Sequence, residues 1–190
     1  MMKAVKIGVF AACFWLAAQA AVAQDIVHAL SGTVISVNSK IKMTEINTDN
    51  GTSGHFEWLK STAGSINFDK SVKSDATDAD KFTSQGAHVI VFFTGDGDVR
   101  TIIAVRDLGA GPLEKTSGAV VKLSRHDRLL TIKNSAGAEE TFHLDPKTIG
   151  DTTTGVAQDF RFDFAKGDEV RVTAAPANGG ETALLIAPIM

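Results

Sequence analysis

The chain has 190 residues, 44% of them hydrophobic and 22% charged, a composition that fits a globular protein and excludes the disordered and fibrous classes. Its 19 basic residues stand against 22 acidic ones, giving a formal charge of −3. That balance lacks the basic footprint usual in nucleic-acid binders, so no nucleic-acid partner is expected.

Residues 1–23 read as a signal peptide. Lys3 and Lys6 form a positive start, Ile7 to Ala18 an apolar stretch, and Ala21-Val22-Ala23 a small-residue cleavage site, so cleavage is expected after Ala23. The twelve residues of the apolar stretch are too few to span a hydrocarbon core, which needs ~20. No later run approaches that length, and no integral membrane segment is expected after cleavage. The address is therefore periplasmic or secreted. Removing Lys3 and Lys6 leaves 17 basic against 22 acidic residues, a net charge of −5. It also removes Cys13, the lone cysteine, so a disulfide, a thiolate metal site or a cysteine nucleophile is excluded from the mature chain. An alternative reading takes Phe10-Ala11-Ala12-Cys13 as a degenerate lipidation box with Cys13 acylated, although Phe stands where Leu is usual.

After the leader, short β-prone runs are predicted near Leu30 to Val37, Ile41 to Asn47 and His55 to Leu59. A long connection follows, in which the acidic stretch Asp75 to Lys81 is the place for a short helix. Two further strands are predicted near Ala87 to Phe93 and Val99 to Arg106. Gly109-Ala110-Gly111-Pro112 then breaks the chain. Beyond it, strands are predicted over Ser117 to Leu123, Leu129 to Lys133 and Glu139 to Leu144, followed by a connection from Asp145 to Lys166. Within that connection Phe160, Phe162 and Phe164 alternate with Arg161 and Asp163, the pattern of a short strand with three rings on one face. A strand opening at Gly167-Asp168 and running to Thr173, then a last one from Thr182 to Ala187, complete the series.

The two halves repeat. Shifting the sequence by 86 residues aligns Ser31-Gly32-Thr33-Val34 with Ser117-Gly118-Ala119-Val120, Ile46 with Ile132, Gly51 with Gly137 and Phe56 with Phe142. A shift of 81 aligns Gly86 with Gly167, Val89 with Val170, Val91 with Val172 and Thr101 with Thr182. These matches fall on glycines and apolar positions, where a shared fold constrains residue choice. Three strands in meander, a crossover of more than 20 residues and a hairpin is the order of a five-stranded OB-like barrel. The expected fold is all-β, with a minor helix: residues 1–23 signal peptide, 24–110 the first OB-like barrel and 111–190 the second.

Gly118-Ala119-Val120, Gly137, Phe142, Gly167-Asp168-Glu169-Val170-Arg171-Val172 and the run Ala183 to Ile186 together resemble small exported bacterial β-barrel domains of unknown function. The first copy departs from the pattern at Ala87-His88, where Asp-Glu stands in the second. The resemblance covers nearly all of the mature chain, and it implies a fold and no activity.

Candidate site residues are sparse. The five histidines show no metal-ligand spacing and do not repeat between the halves. Ser39-Lys40-Ile41-Lys42 satisfies S-x-x-K, but the chain is far too short for a penicillin-recognising fold. Asp96 and Asp98, together with Asp75, Asp78 and Asp80, are weak candidates for a hard cation. Glycine–aspartate turn chemistry explains Asp96 and Asp98 equally well, and no cofactor or metal is expected. Arg125, His126 and Arg128 gather in the turn after the first strand of the second copy, with Lys40 in the corresponding turn of the first. This is one of the loops that OB folds use for ligands, and an anionic glycan or a lipid headgroup is the partner chemistry it suits.

Ile90 and Phe92 lie on the face of their strand opposite Val89, Val91 and Phe93, so both faces are apolar. They mark an interface with the sister domain or a dimer mate, with the crossover, or with an outside partner. The combined expectation is a non-enzymatic binding or envelope-assembly module, its partner an envelope protein or an anionic glycan or lipid headgroup. A metal-ion or small-molecule binding protein is the alternative, and a hydrolase with a non-standard site the third reading.

Overall fold

Strand formation follows the apolar alternation. The computed structural model describes residues 25–51, 53–58, 66, 68–95, 100–177 and 179–189. The leader with Cys13 and Ala23, as well as Leu59, Asp96 and Asp98, therefore lies outside the described residues. The first half forms β1 (His28–Asn38), β2 (Met43–Thr48), β3 (Ser53–Trp58), β4 (Thr77–Asp78), β5 (His88–Thr94) and β6 (Arg100–Gly109), with a helix α1 (Lys70–Ser74) in the crossover. The second half forms β7 (Glu114–Ser124), β8 (Leu129–Asn134), β9 (Glu139–His143), β10 (Ile149–Thr152), β11 (Gly155–Ala157), β12 (Glu169–Ala177) and β13 (Gly180–Pro188).

In the first half β3, β2, β1, β5 and β6 are neighbours in that order, and β3 pairs in parallel with β6 to close the ring. The second half repeats the circuit through β9, β8, β7, β12 and β13, closed by the parallel pair β9–β13. A three-strand meander joined to a hairpin in this way is the OB-like barrel. The fold is thus all-β with one short helix among the described residues, and the break between the two sheets falls at residues 110–113.

Register repeats as well as order. Val34 pairs with Ile46 just before a bulge in β1, and Val120 pairs with Ile132 just before a bulge in β7. Each bulge bends an 11-residue strand, so that one end pairs with the meander and the other with the closing hairpin. Val34 donates its N–H to Ala87 O (3.0 Å) and accepts from Gly86 N–H (2.8 Å). Val120 does the same with Asp168 O (2.9 Å) and Gly167 N–H (2.8 Å). The glycine of each G-x-V has a steric cause: a Cβ on Gly32 would stand 2.6 Å from Asn47 O, and one on Gly118 would overlap Lys133 O.

Each barrel is filled by its own residues and plugged by its own crossover. Val34, Ile46, Phe56, Val89, Val91, Phe93 and Ile102 fill the first, with Phe82 from its crossover. Val120, Leu130, Ile132, Phe142, Val170 and Val172 fill the second, with Phe162 and Phe164. Burying one such side chain stabilises by about 1.5–3 kcal/mol.

Two local expectations are corrected. The helix lies at Lys70–Ser74 rather than within 75–81, because the Asp69 carboxylate caps it by accepting from Ser71 N and Val72 N. Residues 75–81 instead hold β4, paired to β6, and a one-turn 3-10 helix, Ala79–Lys81. Phe160 to Phe164 is not a strand: Asp159 and Phe160 take φ of 57° and 60°, which turns the chain. Phe162 and Phe164 are still buried, while Phe160 is only partly so. The same crossover holds the β10–β11 hairpin, which runs beside β13 and carries Ile149 and Val156.

Candidate functional site

Ile90 and Phe92 are both 0% exposed. They belong to a third apolar cluster that also takes Val27, Ala29, Val72 and Ala104 from the first half and Ile149, Val156 and Leu185 from the second. The Phe68 ring stands 5.2 Å from that of Phe92, so the crossover also covers this face. The outward side of β5 therefore meets both the sister barrel and the crossover, and no part of Ile90 or Phe92 remains for an outside partner.

Around this cluster runs a set of polar ties between the halves. The His28 ring nitrogen Nδ1 lies 3.0 Å from Asp151 Oδ1, and Ala29 N donates to Asp151 Oδ2 at 3.2 Å. Ser31 and Thr173 share a hydrogen bond of 2.7 Å between their hydroxyls. Lys115 pairs with Asp49 at 2.5 Å, and Val156 N donates to Val27 O at 3.0 Å. Arg161 donates to Asp69 Oδ1 (3.0 Å) and to Ser71 Oγ (2.7 Å). Arg106 reaches Lys147 O and Gln158 Oε1 at 2.8 and 3.0 Å. The two buried ties, Ala29 with Asp151 and Ser31 with Thr173, fix the relative orientation of the barrels most firmly, because breaking one strands its partner away from water.

The electrostatics follow from burial. Asp151 is 1% exposed at its side chain. Burial pushes its carboxyl above the ordinary range, against the opposing pull of the Ala29 N–H and of His28. Burial likewise lowers Arg106, while Asp75 and Asp145 draw it back. At Asp69 burial opposes ionisation, yet the hydrogen bonds from Ser71 and Arg161 outweigh it and hold the carboxyl below its usual value.

The histidine–carboxylate pair resembles half of a catalytic relay, but Ser31 is bonded to Thr173 across the interface. Among the described residues no group of three or more His, Cys, Asp or Glu is placed to hold a metal ion. Asp78 pairs with Lys81, and Asp75 faces Arg106 and Lys147, so these carboxylates point to separate cations.

The cationic turn residues sit where the sequence puts them and do more structural work than foreseen. Arg125 donates to the carbonyls of Phe160 (3.1 Å) and Phe162 (3.0 Å) and pairs with Asp163. The Arg128 guanidinium lies 5.5 Å above the Phe160 ring. Both therefore hold the crossover against the β7–β8 turn. His126 is exposed at the tip of that turn, and Lys40 is exposed in the β1–β2 turn of the other barrel. Beside Lys40, Ile41 is 62% exposed. The turns are built alike: Trp58 N donates to Lys42 O and Leu144 N to Arg128 O, both at 2.9 Å. Lys42 and Arg128 share a left-handed φ of 53° and 56°. His28, Asp49, Asp151 and Arg161 were not singled out by sequence reasoning. His28 and Asp151 lie 123 residues apart, and no spacing rule reaches that far.

No family model matches the chain, and no curated protein does. Several solved structures are similar to it at low identity. One described as the crystal structure of Ag(I)CusF is 14% identical, with 41% of this chain and 99% of that chain covered and a TM-score of 0.33. A Drosophila Unr CSD456 structure is 13% identical over 85% of this chain and 61% of that one, with a TM-score of 0.31. A third, described as structural mimicry for functional antagonism, is 12% identical over 83% and 89%, with a TM-score of 0.28. The assignment as an OB-like fold rests on the strand circuit and its register.

Proposed function

We propose that this chain is an exported, non-enzymatic binding module of the bacterial cell envelope, made of two barrels that arose as tandem copies. The matching bulges and turn hydrogen bonds support the copying. The leader pattern at residues 1–23 supports export to the periplasm with cleavage after Ala23. Among the described residues no helix is long and apolar enough to cross a membrane.

One observation carries the choice of surface. The apolar face of β5 is consumed inside the chain, whereas the equivalent β1–β2 and β7–β8 turns stay exposed and present Lys40 and His126 at their tips. With Lys42 and Arg128 beside them, these turns suit an anionic headgroup or glycan, and the reading adopted is an anionic lipid surface. A Lys or Arg near such a surface contributes about 1 kcal/mol.

Sedimentation with vesicles tests it. The chain is expected to co-sediment with phosphatidylglycerol vesicles and not with phosphatidylcholine vesicles. Lys40→Glu combined with His126→Glu should weaken the association by about tenfold. Equal sedimentation with both lipids, or an unchanged variant, overturns the proposal.

A further inference from the structure

We propose that the β1–β2 turn is a bilayer anchor: Ile41 enters the boundary between headgroups and acyl chains, while Lys40 and Lys42 hold lipid phosphates on either side of it. The inference rests on the anionic-surface reading above and goes further, since it separates the two turns and gives one of them an apolar contact. A lone exposed apolar residue is ordinary on a protein surface. Ile41 differs in its degree of exposure, in the fixed shape of its turn and in the charges beside it.

At 62% exposure Ile41 is the most exposed large apolar side chain among the described residues, and residues 38–42 around it are all exposed. The turn holds it there. Asn38 Oδ1 accepts from Lys40 N (3.2 Å) and Ile41 N (3.3 Å), Lys42 takes a left-handed φ of 53°, and its carbonyl accepts from Trp58 N. An apolar tip already fixed in place loses little further freedom when it is buried. Neither Lys40 nor Lys42 forms an ion pair with a described residue, so both ammonium groups are available to lipid phosphates.

The second turn is built on the same frame and lacks these features. The shift of 86 sets Ile41 against Asp127, an acid that accepts from Ser124 Oγ at 2.7 Å and faces Lys122 at 3.8 Å. Arg125 is engaged with the crossover carbonyls and Asp163, and Arg128 with the Phe160 ring. An anionic surface repels a carboxylate at the position where it would draw in an isoleucine. The first barrel therefore penetrates the bilayer, and the second touches it through His126.

Variants of the exported chain test it. Ile41→Ser is expected to bind phosphatidylglycerol vesicles about fivefold more weakly than the unaltered chain, the scale of a partly buried isoleucine, and by the same factor at low and high salt. Lys40→Glu should lose more at low salt than at high salt, because screening acts on charge. Ile41→Trp supplies a depth probe. Vesicles brominated along the acyl chains should quench the emission it adds to that of the unaltered chain, whereas the emission added by Asp127→Trp in the other turn should persist. If the unaltered chain and Ile41→Ser bind the vesicles equally, the anchor is overturned while the anionic-surface reading stands. Equal quenching at the two positions, or none for Ile41→Trp, overturns it as well. Failure of the unaltered chain to bind removes the lipid reading and the anchor with it.

Discussion

Position for position, the outward faces of β5 and β12 are the same surface in two chemistries. The 81-residue shift places Ile90 against Arg171 and Phe92 against Thr173. In the first barrel these positions bury an isoleucine and a phenylalanine in the inter-barrel cluster; in the second they line a polar cleft. Both faces turn toward the other barrel, yet only one supplies the apolar contact. Two equivalent surfaces meeting through a two-fold axis would carry the same residues on both sides. The second barrel instead contributes Leu185 together with Ile149 and Val156 of the β10–β11 hairpin, which has no counterpart among the described residues of the first barrel. The two halves thus differ on the outward strand face and in the crossover, while their inner faces share one register.

The largest test of this asymmetry is a pair of substitutions at equivalent positions. Phe92→Ala should cost about 3–5 kcal/mol in urea denaturation, and Phe92→Lys should additionally uncouple the unfolding of the two halves. Thr173→Ala should cost less, about 1–3 kcal/mol, because it leaves the buried Ser31 hydroxyl without its partner. Similar losses at both positions would break the comparison.

Next in size is the tie through Asp151. Asp151→Ala leaves the Ala29 N–H and His28 without their acceptor, an expected loss of about 1–3 kcal/mol by the same measurement. The inter-barrel carboxylates also give opposite pH signatures. Asp69 is held below its ordinary value of 3.8, so its contribution is present above that pH and fades as the pH falls through the lower folded value. Asp151 is raised above 3.8, so its contribution is complete below that pH and fades as the pH rises through the folded value. Asp69→Asn should therefore flatten the acid limb of the stability profile, and Asp151→Asn the limb above it.

The smallest expected effect sharpens the comparison at the closing edges. The shifts of 86 and 81 set His28 against Glu114 and Arg100 against Glu181. Where the first barrel has basic side chains, the second has two acids. The hydrogen bond to Glu114, with some burial and the charges of Glu114 and Glu140, raises the Glu181 carboxyl to about 7. Its ordinary value is 4.5, so this contribution is full below 4.5 and lost as the pH rises toward 7. The group is exposed enough for solvent to screen most of the effect. Glu181→Gln should remove a shallow slope in melting temperature between those pH values and leave the rest of the profile alone.

Much of the fold was legible because inner-face residues obey local rules. Gly32 and Gly118 are forced by the opposing backbone, and the alternation through Val89, Val91 and Phe93 is what a strand period of two requires. Ile90 and Phe92 stood out because an outer face should be polar. The crossovers were harder to read. The β10–β11 hairpin is held by parallel pairing to β13, and Phe160 to Phe164 alternate like a strand although left-handed residues at 159 and 160 end that possibility. The candidate site was legible only in its turns. Arg125 and Arg128 were visible as charges, whereas their use as clamps on the crossover depends on carbonyls and a ring more than 30 residues away.

The matched register of β1 and β7 has a bearing on how the chain folds. Each strand presents the same glycine, the same bulge and the same donor–acceptor pair to its closing hairpin, so β7 offers the β5–β6 hairpin much the same hydrogen-bonding edge as β1. During refolding, strand exchange between the halves is a competing route of the kind that traps repeat proteins. What disfavours it is the sequence divergence itself. A hairpin bearing Ile90 and Phe92 gains its full apolar cover only in the native pairing, where Val27 and Ala29 on the β1 side join Ile149, Val156 and Leu185 around it, so the sequence difference between the halves serves as a proofreading device for assembly.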